Sequence, residues 1–362
     1  MGIQRRIPWI SGILFFSNGF RGYDMRSVDV IIPTYRPDQR LFRILERLHA
    51  QTYPVQRIIL VNTEESYLEE LIYATGVARA FDLDRLFENV ELRHIKKQEF
   101  DHGGTRRLGV SMSDADVFVC MTDDALPADT HLIAELVSGL TKDRVAVCYA
   151  RQLARKHSSE AERFARQFNY PEQACVKFET DRERLGIKTY FCSNVCAAYW
   201  REVYEELGGF ITHTIFNEDM IFAAAAAKKG YGIAYQPSAR VYHSHHYTGR
   251  QQFRRNFDLG VSQALHPEVF EGLVSEGEGV RMVRQTALHL LKQGKGLQIP
   301  GLVVDSACKY AGYQMGKHYK LLPQKLILSC TGNREFWIQE PVQTGKRSDR
   351  DKADSDRAHG IL

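Results

Sequence analysis

Short apolar, β-branched runs alternate along most of the chain with segments whose apolar residues recur at helical spacing. Val28 to Ile32 (VDVII) is the first such run and reads as a buried parallel strand ended by Pro33. Asp38 can cap the helix that follows, in which Leu41, Ile44, Leu45 and Leu48 share one face. Tyr53-Pro54 breaks that helix, and Arg57 to Val61 (RIILV) makes a second strand. Strand, helix, strand in this order opens a doubly wound sheet through a right-handed crossover.

The alternation continues with Val90 to Ile95 as a strand, Thr105 to Met112 as a helix and Val117 to Met121 as a strand. Thr130 to Leu140 reads as a helix and Val145 to Tyr149 as a strand, while residues 151 to 190 are polar and less regular. A second block holds a strand at Val195 to Tyr199 and a helix at Trp200 to Leu207, stopped by Gly208-Gly209. Asn217 is placed to cap an alanine-rich helix ending near Gly230, and Ile233 to Tyr235 and Val241 to His243 read as short strands. From about Tyr247 to Trp337 the pattern turns helical. The predicted organisation is a leader or over-called start at 1–24, an α/β domain at 25–247, a helical extension at 248–337 and a disordered tail at 338–362.

Composition changes this picture little. The chain of 362 residues has 44% hydrophobic and 25% charged residues and a formal charge of +4. Its basic residues are dispersed, which argues against nucleic acid as the partner. Seven cysteines, an odd number, suggest a reducing cytosol rather than a disulfide framework. Cys192 and Cys196 have a zinc-like spacing, but no second close pair of ligands follows, so they read as buried thiols. No stretch approaches the roughly 20 apolar residues needed to cross a bilayer. Ile7 to Phe16 mimics a short signal peptide but is interrupted by Pro8, Ser11 and Gly12. Basic residues interleaved with apolar ones after Tyr247, Arg254, Arg255 and Arg284 among them, suit either a membrane surface or a cap on the α/β domain. The expected location is cytoplasmic, with peripheral contact to the inner face of the plasma membrane as an option.

Open α/β sheets bind ligands beyond the carboxyl ends of their strands. Those segments here read Pro33-Thr34-Tyr35, Asn62-Thr63-Glu64, Asp101 to Arg106 and Thr122-Asp123-Asp124. Together they supply an aromatic and polar groups for a base, an arginine for phosphate and two carboxylates for a divalent metal. Adjacent carboxylates after an apolar strand are costly unless a cation neutralises them, and Mg²⁺ or Mn²⁺ would share them with substrate phosphates. Gly103, Gly104 and Arg106 open a helix whose free amides suit a diphosphate. Glu218 and Asp219 in the first turn of the alanine-rich helix are either dipole-favoured acids or a general base. His243, followed by Ser244-His245-His246, is either a metal ligand near the carboxylates or part of a solvated turn.

These segments resemble the inverting family-two glycosyltransferases with the GT-A fold. VIIPTYRPD at 30 to 38 resembles the family's opening motif, and TRRLG at 105 to 109 its Ala-Arg-Asn-x-Gly, with Arg107 replacing the Asn. TDD at 122 to 124 falls on its Asp-x-Asp metal motif, and LGGF at 207 to 210 with NEDM at 217 to 220 on its acceptor segment and catalytic pair. Within the family DHGGTRR, TDDALP, HTIFNEDM and VYHSHHY look most like bacterial rhamnosyltransferases that use dTDP-L-rhamnose. The resemblance implies a mixed α/β sheet of GT-A type with a helical C-terminal extension. It makes Asp219 the catalytic base beside Glu218 and Asp124 the chief metal ligand, with His243 as helper. Pro33, Thr34, Tyr35, Asn62, Gly103, Gly104, Arg106 and Asp123 would hold the nucleotide sugar. Thr122 and Asn62 stand where the family often has Asp, which weakens the metal motif and the base contact. The acceptor would be a lipid-linked saccharide or growing surface glycan. A transferase of UDP-hexoses and a degenerate scaffold of a glycan-assembly complex are the alternatives. A sugar nucleotidyltransferase is disfavoured, because its glycine-arginine loop follows the first strand.

Overall fold

The computed structural model describes residues 25–74, 81–245, 247–273 and 276–339. The expected leader at 1–24, His246 and the tail beyond residue 339 lie outside the described residues, whereas Ile338 and Gln339 end a helix that begins at Arg334.

The strands are β1 (Val28–Tyr35), β2 (Arg57–Thr63), β3 (Val90–Ile95), β4 (Val117–Met121), β5 (Leu126–Pro127), β6 (Val145–Leu153), β7 (Cys175–Lys177), β8 (Cys196–Trp200) and β9 (Gly232–Tyr242). They form one mixed sheet in the order β3-β2-β1-β4-β8-β6-β9-β5, with β7 added on β9. β1 to β4 pair in parallel, β8 runs antiparallel to both β4 and β6, and β6 is parallel to β9. Because β8 is reversed, its amino end lies beside the carboxyl ends of β4 and β6.

Alternation of side chains across the strands divides the core in two. Val28, Val30, Ile32, Ile58 and Leu60 face the helix Arg40–His49, which contributes Leu41, Ile44, Leu45 and Leu48, and the helix Leu132–Leu140. Ile31, Ile59 and Val61 face the other way, toward Val110 of the helix His102–Ser111 and the alanines of the helix Glu218–Lys228. Full burial of each such aliphatic contributes about 1.5–3 kcal/mol.

Several sequence expectations need correction. The helix expected from Thr105 begins at His102, because the Asp101 side chain accepts the Gly104 amide and caps it earlier. The two short strands around residues 233–243 are one long strand that bulges where Arg240 rather than Pro237 pairs with Arg151. Asp38 is not the cap of the first helix: the cap is Gln39, though Asp38 still accepts the Arg40 amide at 2.8 Å. Residues 151–190 contain the end of β6, a helix at Glu160–Asn169 capped by Ser159, and β7.

The C-terminal helices pack on the α/β layer rather than standing apart. The helices Gly249–Leu265 and Ile299–Lys317 cross at glycines: a Cβ on Gly316 would lie 2.1 Å from the Phe257 carbonyl oxygen, and one on Gly312 2.2 Å from that of Phe253. Phe257, Val261, Tyr319, Ile327 and Trp337 then enclose Ile215, which lies just ahead of Glu218.

Candidate active site

At the ends of β1 and β2 the Thr34 hydroxyl donates to Asn62 Oδ1 at 2.8 Å. The Asn62 amide donates to the Glu64 carbonyl at 3.0 Å and meets His94 Nδ1 at 3.0 Å. Asn62 is fully buried with its hydrogen-bonding capacity spent internally, so its expected contact to a nucleobase is not supported. Tyr35 is exposed and meets Tyr67 edge-on at 5.7 Å. Arg36 lies over both rings, 4.9 Å from that of Tyr67, and donates to the Tyr67 hydroxyl. A cavity of about 490 Å³ lined by Arg36, Asp38 and Tyr67 adjoins this platform. Pro33 is partly buried in the same strand end.

Asp123 and Asp124 follow β4 and diverge. Asp123 accepts the Tyr35 amide at 3.4 Å, and its pKa is raised to about 6 by burial and by Asp124. Burial also opposes ionisation of Asp124, which the Thr122 hydroxyl, donating at 2.9 Å, and the nearby Arg155 favour. His243 Nε2 lies 3.5 Å from Asp124 Oδ1, His245 Nε2 lies 3.3 Å from Oδ2, and the two rings meet at right angles. Ligand atoms of the three residues all fall within 4.8 Å of one another. Burial drives the histidines to about 3 and about 4, so both are neutral and able to bind a cation. One carboxylate with two imidazoles fits a divalent ion.

The second cluster lies at the head of the alanine-rich helix. Asn217 takes the left-handed conformation at φ 65° and does not cap by its side chain, contrary to expectation. It donates to Ser262 at 3.1 Å instead, and Ser262 donates to the Phe216 carbonyl at 2.7 Å. Glu218 is buried and pairs with Arg106 at 3.0 Å. Burial opposes its charge, but Arg106, His102 and the Asn194 amide together keep its pKa low. Asp219 is only partly buried and has no cation within ion-pairing distance among the described residues. It accepts the backbone amides of Asn194 and Met220, at 2.9 and 2.8 Å. Burial and the Glu218 charge raise its pKa to about 7. Two adjacent acids thus have opposite characters: one a fixed anion, the other poised to exchange a proton near neutrality.

The expected phosphate-binding loop has another use. Arg106 is committed to Glu218 and to the His102 carbonyl, and the Gly104 amide is taken by Asp101. Gly103 admits the Ile211 carbonyl, 1.8 Å from where a Cβ would sit. Asp101 also accepts the Thr214 amide at 2.8 Å, and Arg107 donates to the Gly208 and Phe210 carbonyls. This loop therefore anchors the segment before Glu218. Arg255, expected on a membrane-facing surface, lies over the Phe216 ring at 4.8 Å beside that segment.

Sequence reasoning did not find Asn194, Gln152 or Arg155, gave His102 no role of its own, and put His245 on the same side as His243 without choosing it as a ligand. Only the alternation of His243 with His245 carried a signal. The other contacts join residues distant in the chain.

A family model for glycosyl transferase family 2 matches residues 29–208. The O-antigen chain rhamnosyltransferase RfbN of Salmonella typhimurium is 37% identical over 314 residues, covering 86% of this chain and 96% of that protein. The O-antigen chain rhamnosyltransferase WbaN of Salmonella anatum is 35% identical over 320 residues, with the same coverages of 86% and 96%. The chain belongs to glycosyl transferase family 2. Among solved structures, the mannosyltransferase PcManGT from Pyrobaculum calidifontis in complex with GDP-Man and Mn²⁺ aligns at 17% identity and a TM-score of 0.49, covering 87% of this chain and 86% of its own. The protein is accordingly a glycosyltransferase of α/β, GT-A-like architecture with a helical C-terminal region.

Proposed function

We propose that this family member is an inverting rhamnosyltransferase that moves L-rhamnose from dTDP-L-rhamnose to a hydroxyl of a growing, lipid-linked surface polysaccharide. The rhamnosyl reading is supported by the two O-antigen chain relatives, alike over nearly their full length. The mechanism is supported by one observation above all: Glu218, not Asp219, pairs with Arg106, which leaves the Asp219 carboxyl to backbone amides alone.

In this reading Asp219 accepts the proton of the acceptor hydroxyl as its oxygen attacks the anomeric carbon. The bond from that carbon to the diphosphate breaks on the opposite face, which inverts the centre without a covalent enzyme intermediate. Asp124, His243 and His245 would hold Mn²⁺, which when bound supplies positive charge to the departing diphosphate. Tyr35, Arg36 and Tyr67 offer stacking surfaces for the nucleobase. Glu218 and Arg106 position the helix that carries Asp219.

No helix among the described residues is long and apolar enough to cross a membrane. The outer faces of the helices Glu276–Lys292 and Ile299–Lys317 nevertheless expose Leu288, Leu291, Val303, Val304 and Tyr310, with Leu297 between them 98% exposed. Arg281, Arg284 and Lys292 lie exposed on the same stretch. We read this as a peripheral contact to an anionic membrane, where a lipid-linked acceptor resides.

The test is to offer purified protein dTDP-L-rhamnose, UDP-glucose and UDP-galactose with Mn²⁺ and measure nucleoside diphosphate release. Preference for dTDP-L-rhamnose is expected, and preference for a UDP-hexose would remove the rhamnosyl assignment. Flotation with anionic liposomes tests the membrane contact, which failure to bind at low salt would exclude.

A further inference from the structure

Three hydrogen bonds converge on the side-chain amide of Gln152, a buried residue at the end of β6. Its Nε2 donates to Ser193 Oγ at 2.9 Å. Its Oε1 faces both an Arg166 guanidinium nitrogen and His243 Nδ1, the latter at 2.9 Å. A guanidinium only donates, so the amide atom in front of Arg166 must be the oxygen. Turning the amide over would set an NH₂ against the guanidinium and leave Ser193 facing a carbonyl. With the oxygen fixed, His243 Nδ1 can satisfy it only as a donor. The ring proton is then on Nδ1, and Nε2 presents a bare lone pair toward Asp124 and His245, the latter's Nε2 only 2.8 Å away.

We infer that Gln152, itself oriented by Arg166, is a positioning residue that locks His243 in the Nδ1–H tautomer and so presets the Asp124–His243–His245 cluster for a divalent cation. The backbone supports the same arrangement, since the His243 amide donates to the Leu153 carbonyl at 3.0 Å. Ring direction is thus set from the main chain and ring protonation from the side chain. Hydrogen bonds of this kind to the second ring nitrogen of a ligating histidine are worth about 10–100-fold in metal affinity. The lock also reaches the acid pair: Ser193 precedes Asn194, whose amide groups hold Asp219 and Glu218.

This inference rests on the metal reading for its consequence but not for its geometry, so two measurements separate them. In metal-free full-length protein labelled with ¹⁵N at histidine, long-range ¹H–¹⁵N correlation reads the His243 tautomer directly, with the ring assigned by its loss in His243→Ala. The Nδ1–H form is expected, and the Nε2–H form would overturn the lock whatever the protein does with metal. Mn²⁺ titration of the same chain, followed by the paramagnetic resonance of free Mn²⁺, reads the consequence. Gln152→Leu removes the acceptor and should weaken Mn²⁺ binding by about 10–100-fold. Gln152→Glu keeps an oxygen for both Arg166 and His243 and should stay within about 3-fold of the parent, as expected if the acceptor is what matters. Equal losses in both variants, or parental affinity in Gln152→Leu, would overturn the positioning role. Should Gln152→Leu fail to fold, the tautomer in the parent and in Gln152→Glu still decides the question. A parent that binds no Mn²⁺ would overturn the metal reading alone.

Discussion

Replacing Asp219 by Asn separates what this carboxyl does in catalysis from what it costs the fold. Burial and the Glu218 charge raise its pKa from 3.8 to about 7. That rise corresponds to about 4 kcal/mol between the two protonation states, and partial exposure screens it to about 2–4 kcal/mol. Because the folded value lies above the unfolded one, the native state carries no penalty below the unfolded pKa. The penalty grows as pH climbs between 3.8 and about 7 and is complete above that. An amide never ionises and escapes it. It does forfeit one of the two backbone amides that Asp219 accepts, about 1 kcal/mol that does not vary with pH. The difference between two pH values therefore isolates the electrostatic part. Relative to the parent, Asp219→Asn should gain about 1–3 kcal/mol more at pH 8 than at pH 5, or about 1–4 °C in Tm for a chain of this size. Transfer should meanwhile fall by about 10²–10⁴-fold. Thermal unfolding at both pH values and nucleoside diphosphate release, measured on the same preparations, give the two numbers. A Tm change identical at pH 5 and pH 8 would refute the account of the acid pair, and transfer at the parental rate would refute the base.

In the parent, kcat/KM should drop about tenfold per pH unit below pH 7, as a single base with a pKa of about 7 is protonated; a flat profile down to pH 5 would exclude Asp219 from that role. Asp124→Asn should abolish transfer without loss of fold, and EDTA should do the same to the parent; undiminished turnover in EDTA would sink the metal reading. Arg106→Met should cost about 3–5 kcal/mol in urea unfolding, because it leaves the Glu218 carboxylate buried without its cation. Tyr67→Ala removes half of the base platform and should raise KM for the donor about tenfold with kcat little changed, which steady-state kinetics would check.

The parallel half of the sheet was legible because β2 and β4 carry continuous apolar runs and Tyr53-Pro54 punctuates the chain before β2, although β1 does not end at Pro33 as expected but pairs with β2 as far as Tyr35. Asp124 and His243 were legible for the same reason: each follows such a run, where ligands gather. Arg106 misled because a glycine-arginine segment opening a helix is the pattern of a phosphate site, and nothing local says that Glu218, far along the chain, has claimed the guanidinium. Asn62 misled likewise, since its partners Thr34 and His94 come from neighbouring strands. The bulge in β9 escaped because Pro237 and Ser238 look like a turn between two strands, while the pairing with β6 resumes beyond them.

Asn194 was missed for a reason that also explains how the site is built. Searching the carboxyl ends of strands finds the active edge only where strands are parallel. β8 runs the other way, so the residues that precede it, Ser193 and Asn194, land on that edge. Across β4, β8, β6 and β9, in that order, the edge then carries Asp124, Asn194, Gln152 and His243. Adjacent strands lie about 4.8 Å apart, so side chains from neighbouring ends reach one another without loop insertions. The contacts run as this order requires: His243 to Gln152, Gln152 to Ser193, and the Asn194 amide to Asp219. Were β8 parallel, its Cys192 to Asn194 segment would sit at the opposite edge and Asp219 would lose the amide that fixes one of its oxygens. The reversed strand thus sets Asp219 and the Asp124–His243–His245 cluster on one edge of the sheet, the placement that the proposed in-line displacement needs.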